Sequence, residues 1–222
     1  LNREYACSTY GGVWKIVFKT NNGEVEEGVE GLFRGPFNRV GVRCFIAISC
    51  PAEVRLRLAE VGRQLACCGE MRLVEVGNIH MTLKFLGEVQ EQKAMEIAEN
   101  LAFLEGEVRF GVTVKGLGVF PNADRINVIW AGVERPEGIA GLQRRLDDSL
   151  SDMGFQREQR FHPHYTIARV KRLTDRKNLM AFVKAGEGRE FGSYAVESAV
   201  LMSSELGRDG PAYAAVREYR LS

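Results

Sequence analysis

His80-Met81-Thr82-Leu83-Lys84-Phe85-Leu86-Gly87 is echoed further along the chain by His164-Tyr165-Thr166-Ile167, and the two segments use two of the three histidines present. In an extended strand successive side chains point to opposite faces, so each His and the Thr two positions on share a face, about 7 Å apart. Ile79, Met81, Leu83 and Phe85 alternate with His80, Thr82 and Lys84, the pattern of a half-buried strand. The same parity puts Lys84 on the His80 face, at the rim of whatever that face lines. Arg169 has the opposite parity to His164 and reaches its face only through a twist or a bulge. A lone strand histidine is usually satisfied by local backbone groups. With six threonines in 222 residues, however, a given histidine meets one two places on only about 3% of the time. Two such strands, side by side or face to face, present two proton-transfer groups and two neutral donors, a set that fits a phosphodiester.

The composition is that of a globular protein, 45% hydrophobic and 27% charged, able to bury a core as one large domain or two small lobes. A formal charge of +1 argues against coating nucleic acid by bulk charge, although a local basic cleft for one RNA end is compatible with it. No apolar run approaches the roughly 18 residues of a membrane span, and no basic-then-apolar leader opens the chain, so a cytoplasmic protein without membrane partners is expected. Cys7, Cys44, Cys50, Cys67 and Cys68 are odd in number and lack C-x-x-C spacing, which reads as buried free thiols in a reducing compartment. His162-Pro163-His164 sets two rings on one strand face and could chelate a metal, but no third ligand is evident nearby. No metal and no cofactor are expected.

Outward from the motifs, residues 42–49 read as a buried strand. Pro51 suits a first helical turn, and Val54, Leu58, Val61 and Leu65 form a helical stripe in a helix that ends at Cys67 and Cys68. The His80 strand stops at Gly87; a helix over 90–104 turns Ala94, Ile97, Ala98 and Leu101 inward, and strands follow over 108–115 and 126–133. This half reads β-α-β-β-α-β-β in outline. A helix over 138–153 carries Ile139, Leu142, Leu146 and Leu150 on one face and ends at Gly154. After the His164 strand comes a helix capped by Thr174 or Asp175, with Leu179, Phe182 and Val183 inward, then strands over 194–203 and 213–221. We therefore expect an α+β, two-lobed, duplicated fold of mostly antiparallel sheets, with helices outside and a central groove between the lobes. Residues 1–41 stand apart from this 42–222 unit as an N-terminal extension. They read either as a hairpin, 13–20 and 24–33 around Asn21-Asn22-Gly23, or as an over-extended start.

These segments resemble the 2H phosphoesterase superfamily, named for two His-x-Thr motifs, and most closely its RNA 2′,3′-cyclic phosphodiesterase branch, historically called 2′–5′ RNA ligase. The likeness lies in Arg43-Cys44-Phe45-Ile46-Ala47-Ile48, in HMTLKFLG, in GVFPNADRINVIWAGV from Gly118 to Val133, in FHPHYTIARVK, and in Gly210-Pro211-Ala212-Tyr213. It implies a two-lobed fold with the motifs facing each other across a groove and no required metal; a monomer is expected. It also implies His80 as proton donor to the leaving oxygen, His164 as the acceptor that activates water, and Thr82 and Thr166 as donors to the non-bridging oxygens. Lys84 and Arg169, the latter matching a basic position of the family, are the weaker candidates, for substrate binding.

Two imidazoles suit ring opening because their pKa lies near operating pH, so one is neutral while the other is protonated. The expected reaction is hydrolysis of RNA 2′,3′-cyclic phosphate ends to a 2′-phosphate, with tRNA fragments as substrates by resemblance. The same groups would also catalyse the reverse 2′–5′ ligation. Two other functions use the same residues: a cyclic phosphodiesterase acting on small nucleotides, and a non-catalytic module that binds RNA ends or nucleotides. Phe161, Tyr165 and Trp130 read either as base-stacking residues or as core, and His162 as a neighbour that packs or caps.

Overall fold

The computed structural model describes the backbone of residues 4–10, 13–19, 25–31, 41–206 and 211–222, with side chains over 41–205 and 211–222. Strands β1 (Glu4–Tyr10), β2 (Val13–Lys19) and β3 (Val25–Gly31) pair antiparallel in a sheet of their own. The two strands of the expected hairpin are thus β2 and β3, paired from Trp14↔Gly31 to Lys19↔Val25, while its Asn21-Asn22-Gly23 turn lies outside the described residues.

The apolar run 42–49 forms β4 (Val42–Ser49), and Pro51 caps α1 (Ala52–Leu65), whose stripe Val54, Leu58, Val61 and Leu65 is buried. Then come β5 (Gly69–Leu73), β6 (His80–Val89), α2 (Glu91–Asn100), β7 (Phe110–Pro121), β8 (Ile126–Glu134), α3 (Glu137–Ser151), β9 (Tyr165–Leu173), α4 (Arg176–Ala185), β10 (Glu190–Val196), β11 (Ser198–Leu206) and β12 (Pro211–Arg220). The fold is α+β, with every described strand pair antiparallel. Gly154 takes φ +90 just past α3, the left-handed conformation that lets the chain leave a helix. At α4 the cap is Asp175, whose carboxylate accepts from the Asn178 N–H at 3.0 Å.

Nine strands form the main sheet in the order β10-β7-β8-β9-β6-β4-β11-β12, with β5 also on β9. It divides at one place. β6 meets β9 only through Met81↔Tyr165; beyond that bridge β9 continues along β5, and β6 along β4. The two halves therefore diverge from a seam that lies at the centre of both motifs. Helices back each half: α2 packs on β4 and α3 on β6, while α1 packs on β5, β9 and β10 and α4 on β7. The buried stripe Ile139, Leu142, Leu146 and Leu150 of α3 is part of one continuous core, each leucine contributing about 1.5–3 kcal/mol by leaving water.

Several expected boundaries move. The single strand over 194–203 is two, β10 on β7 and β11 on β4 and β12, because the chain changes halves at Glu197, whose carbonyl accepts the Leu221 N–H at 2.8 Å. An unbroken β pattern carries no mark of a change of partner. β5 is the one strand of the β-α-β-β-α-β-β outline that had no residues assigned to it. The helix over 90–104 is α2 followed by a 3-10 segment, Leu101–Gly106. Cys44, Cys50 and Cys68 are buried free thiols, and burial pushes the first two up to about 11. Cys67 is exposed, against expectation, because the helix ends at Leu65 and a 3-10 turn swings its side chain outward; Cys7 lies outside the described side chains. Among the described residues no helix is long and apolar enough to cross a membrane.

Candidate active site

Met81 and Tyr165, the middle residues of the two motifs, are both fully buried and pair across the seam. Their outward neighbours therefore share the opposite face. Continued one step each way, the antiparallel register sets His80 opposite Thr166 and Thr82 opposite His164, an approximate two-fold arrangement with the histidines on a diagonal of roughly 7–8 Å. All four side chains line one groove of about 1230 Å³.

Each imidazole is oriented in the same way. His80 Nδ1–H donates to the Asn78 carbonyl at 2.8 Å and His164 Nδ1–H to the His162 carbonyl at 2.7 Å, in each case two residues back. With Nδ1 so engaged, the neutral ring leaves its Nε2 lone pair free, and that of His80 accepts from the Thr82 hydroxyl at 3.1 Å. Aromatic rings fix both planes. His80 stacks on Phe45 at 5.0 Å and meets the edge of Tyr213 at 5.3 Å; His164 meets Phe120 edge-on at 5.0 Å. Burial pushes both imidazoles below the usual histidine value, against the rise that the carbonyl hydrogen bonds favour. His164 and Arg169 lower His80 further, and His162 and Arg169 lower His164. The site is thus poised to gain protons when an anion enters.

One residue after each Thr, both strands carry a bulge. On β6 the pairing jumps from Ala47↔Thr82 to Ile46↔Lys84, leaving Leu83 extra; on β9 it jumps from Trp130↔Thr166 to Ile129↔Ala168, leaving Ile167 extra. A bulge turns two successive side chains towards one face and resets the parity beyond it. Leu83 and Lys84 accordingly turn to the core side with Ile46, and Ile167 and Ala168 with Ile129. Phe85 and Arg169 emerge next on the groove face, and both line it.

This corrects the expected place of Lys84. Although part of it borders the groove, the side chain is only 5% exposed, and its ammonium donates to Asp147 Oδ1 at 2.5 Å and to the Gln156 carbonyl. It is a buried tie, not a charge at the rim. Asp147 Oδ2 accepts from Gln143 Nε2 at 2.7 Å and from the Glu158 N–H at 2.8 Å. Burial alone would raise that carboxyl; hydrogen bonds from Lys84, the Glu158 N–H and Gln143, with the Lys84 charge, hold it below the usual aspartate range. The pair thereby clamps the segment that leads into His164. Gln143 and Asp147, polar at inward positions of α3, were the sequence signal for it.

Of the aromatics weighed for stacking, Tyr165 is fully buried, its hydroxyl meeting that of Tyr194, and belongs to the core. Trp130 packs on Phe120 at 5.0 Å and lies so close over Gly118 that a Cβ there would come within 2.1 Å of the indole. His162 packs on Trp130, with ring centroids 4.8 Å apart. Phe161 lines the groove. Sequence reading missed Phe85, which is 71% exposed on the groove face 6.2 Å from Phe45, because strict alternation assigns it to the core. Among the described residues no group of three or more His, Cys, Asp or Glu is arranged to hold a metal, and the His162 and His164 rings stand 6.4 Å apart.

The family described as LigT like phosphoesterase matches the chain over residues 48–130 and 132–213, one motif in each stretch. A Methanothermobacter thermautotrophicus protein named RNA 2′,3′-cyclic phosphodiesterase is 37% identical over 183 residues, 81% of this chain and 99% of its own length. One of the same name from Aeropyrum pernix is 42% identical over 170 residues, 74% of this chain and 94% of its own length. Among solved structures, a Thermus thermophilus protein superposes with TM-score 0.70 at 28% identity, covering 80% of this chain and 97% of the other. Escherichia coli LigT complexed with 3′-AMP gives 0.66 at 27%, covering 82% and 99%. Matched along both halves, and by relatives that align over nearly their whole length, the chain belongs to the LigT-like phosphoesterases of the 2H superfamily.

Proposed function

We propose that this chain hydrolyses the 2′,3′-cyclic phosphate at the end of an RNA to a 2′-phosphate, with His80 and His164 as acid and base and without a metal. The observation that carries the reading is the Met81↔Tyr165 bridge, which gathers both histidines and both threonines on one groove face. The relatives named RNA 2′,3′-cyclic phosphodiesterase support the choice of substrate.

The cyclic phosphate anion sits between the imidazoles, and its charge favours the imidazolium that burial disfavours, so His80 becomes protonated on binding. Thr82 and Thr166 donate to the non-bridging oxygens, where negative charge grows in the transition state. His164 Nε2 takes a proton from water as the water oxygen bonds to phosphorus; the bond from phosphorus to O3′ breaks, and His80 Nε2–H gives its proton to O3′. The order of the two roles follows the family resemblance. The reaction ends with the protonation states exchanged, and proton exchange with solvent resets them. Phe85 offers a face on which a base can stack.

The activity is assigned to residues 42–222, in line with the 81% of the chain that the Methanothermobacter relative matches. We read the protein as a cytoplasmic monomer acting on RNA ends, tRNA fragments among them; the buried free thiols of Cys44, Cys50 and Cys68 suit a reducing compartment.

The test is incubation of the purified protein, with a strong chelator present, with an RNA oligomer ending in a 2′,3′-cyclic phosphate, comparing wild type with His164→Ala and identifying the product isomer. A 2′-phosphate formed by wild type alone is expected. Loss of activity on chelation would overturn the metal-free mechanism, and no conversion of RNA or mononucleotide cyclic phosphates would leave a binding module.

A further inference from the structure

β9 starts at Tyr165, and this one residue is the whole of the strand's pairing with β6, through Met81, while Ala131 of β8 flanks it on the other side. His164 precedes the strand and takes part in no strand pairing among the described residues, whereas His80 is inside its ladder, opposite Ser49. The Nδ1–H of His164 is bound to the His162 carbonyl of its own segment, and Phe120 meets the ring edge-on; these contacts orient the imidazole without tying its segment to β6. Its position relative to His80 is therefore carried by Tyr165. That residue is fully buried, and its hydroxyl meets the hydroxyl of Tyr194 on β10. In the sheet β7 and β8 stand between β10 and β9, so the two tyrosines are three strand spacings apart along it, roughly 14 Å. Only a curled sheet brings their tips together, and the bond is a chord across that curl. A ring that merely filled the core would need no oxygen there, because a buried hydroxyl costs stability unless it is paired. Met81, at the equivalent place of the other motif, carries only a thioether. Burial pushes both phenols above the ordinary tyrosine value, so the chord stays neutral wherever the histidines titrate.

We propose that the Tyr165–Tyr194 hydrogen bond is a positioning device for His164: it holds the first residue of β9 at the seam, so that the two imidazoles keep their separation across the groove. Neither tyrosine is among the groove-lining residues. Tyr165 points away from the face that carries His164 and Thr166, and Tyr194 stands opposite the buried Val112 and borders a separate cavity of about 530 Å³ beside Thr113 and Ser193. Loss of either phenol oxygen therefore leaves the groove lining itself unchanged. The role in turnover rests on the function proposed above; the hold on His164 does not.

Tyr165→Phe, Tyr194→Phe and the double variant each delete the bond and keep both rings. Each should lower kcat by roughly tenfold to a hundredfold, with KM for a dinucleotide 2′,3′-cyclic phosphate within about twofold of wild type, the mark of a misplaced group and not of lost binding. The double variant should be no slower than either single one, because all three remove the same bond, although it regains stability to urea by leaving no hydroxyl unpaired. The chain has only three histidines, so their imidazole Cε1–H signals resolve by NMR and are assigned from the His80→Ala and His164→Ala variants. In Tyr194→Phe the His164 signal should move or broaden while that of His80 stays in place. Wild-type kcat in the three variants overturns the positioning role, as does a kcat that returns together with stability in the double variant. Equal movement of the His80 and His164 signals would show a general loosening of the fold and overturn it as well. Wild type without turnover would overturn the function itself, and the His164 signal would then decide the hold by itself.

Discussion

The strands β6 and β9 carry the same chemistry and build different walls. Each has at its start, at His80 in β6 and at His164 just before β9, a histidine tethered through Nδ1 to the carbonyl two residues back and resting on aromatic rings, then a threonine two positions on and a bulge one residue after that. Past the bulge they part: β6 buries Lys84 and shows Phe85 to the groove, whereas β9 buries Ala168 and shows Arg169. The centre is thus nearly two-fold, with one histidine on either side, while its flanks are aromatic on one side and cationic on the other.

The hardest test of that equivalence is removal of the histidines. His80→Ala and His164→Ala should each lower kcat by roughly 10²–10⁴-fold with the fold intact by circular dichroism, and the double variant should be little worse than either. A variant retaining more than about a tenth of wild-type activity would show that its motif only binds.

Lys84, where the strands differ most, comes next. Lys84→Met leaves Asp147 buried and unpaired and should cost about 3–5 kcal/mol in urea unfolding. Lys84→Met with Asp147→Leu should recover much of that stability while kcat stays low, because the Glu158 N–H and the Gln156 carbonyl lose the partners that hold the segment before His164. Recovery of both quantities would reduce the pair to a stability element.

Thr82→Ala and Thr166→Ala should each slow turnover by about tenfold to a thousandfold, as for one lost oxyanion donor, and by similar factors if the centre is symmetric. An effect confined to one of them would fix the phosphate nearer that strand.

The smallest effect is on pH dependence. One imidazole must be charged and the other neutral, and both titrate below 6.5 in the free protein, so kcat/KM should describe a bell centred on the acid side of that value. The Arg169 charge lowers both groups, so Arg169→Gln should move both limbs to higher pH. A shift in the other direction would place Arg169 out of electrostatic reach of the pair.

Much of the site was legible in the chain. The spacing of His80, Thr82, His164 and Thr166 was enough to put each pair on one face, since strand parity is a local property, and helical periodicity marked the inward stripes of α1 and α3 in the same way. What failed was any reading that carried parity past a bulge. Lys84 moved into the core and Phe85 and Arg169 into the groove because one extra residue inverts everything downstream of it, and that extra residue is defined only against a partner strand. Partners are equally invisible along the chain: the change of halves at Glu197, the opposition of Arg72 to Arg169, and Asp147 beneath Lys84 join residues far apart in sequence. Sequence by itself determined which groups are the candidates for the chemistry and the face each occupies on its own strand, because these depend on residue type and alternation. Tertiary structure alone decided that the two motifs meet at Met81 and Tyr165, and which cations face the groove, because strand pairing and bulge register are set by contacts between segments.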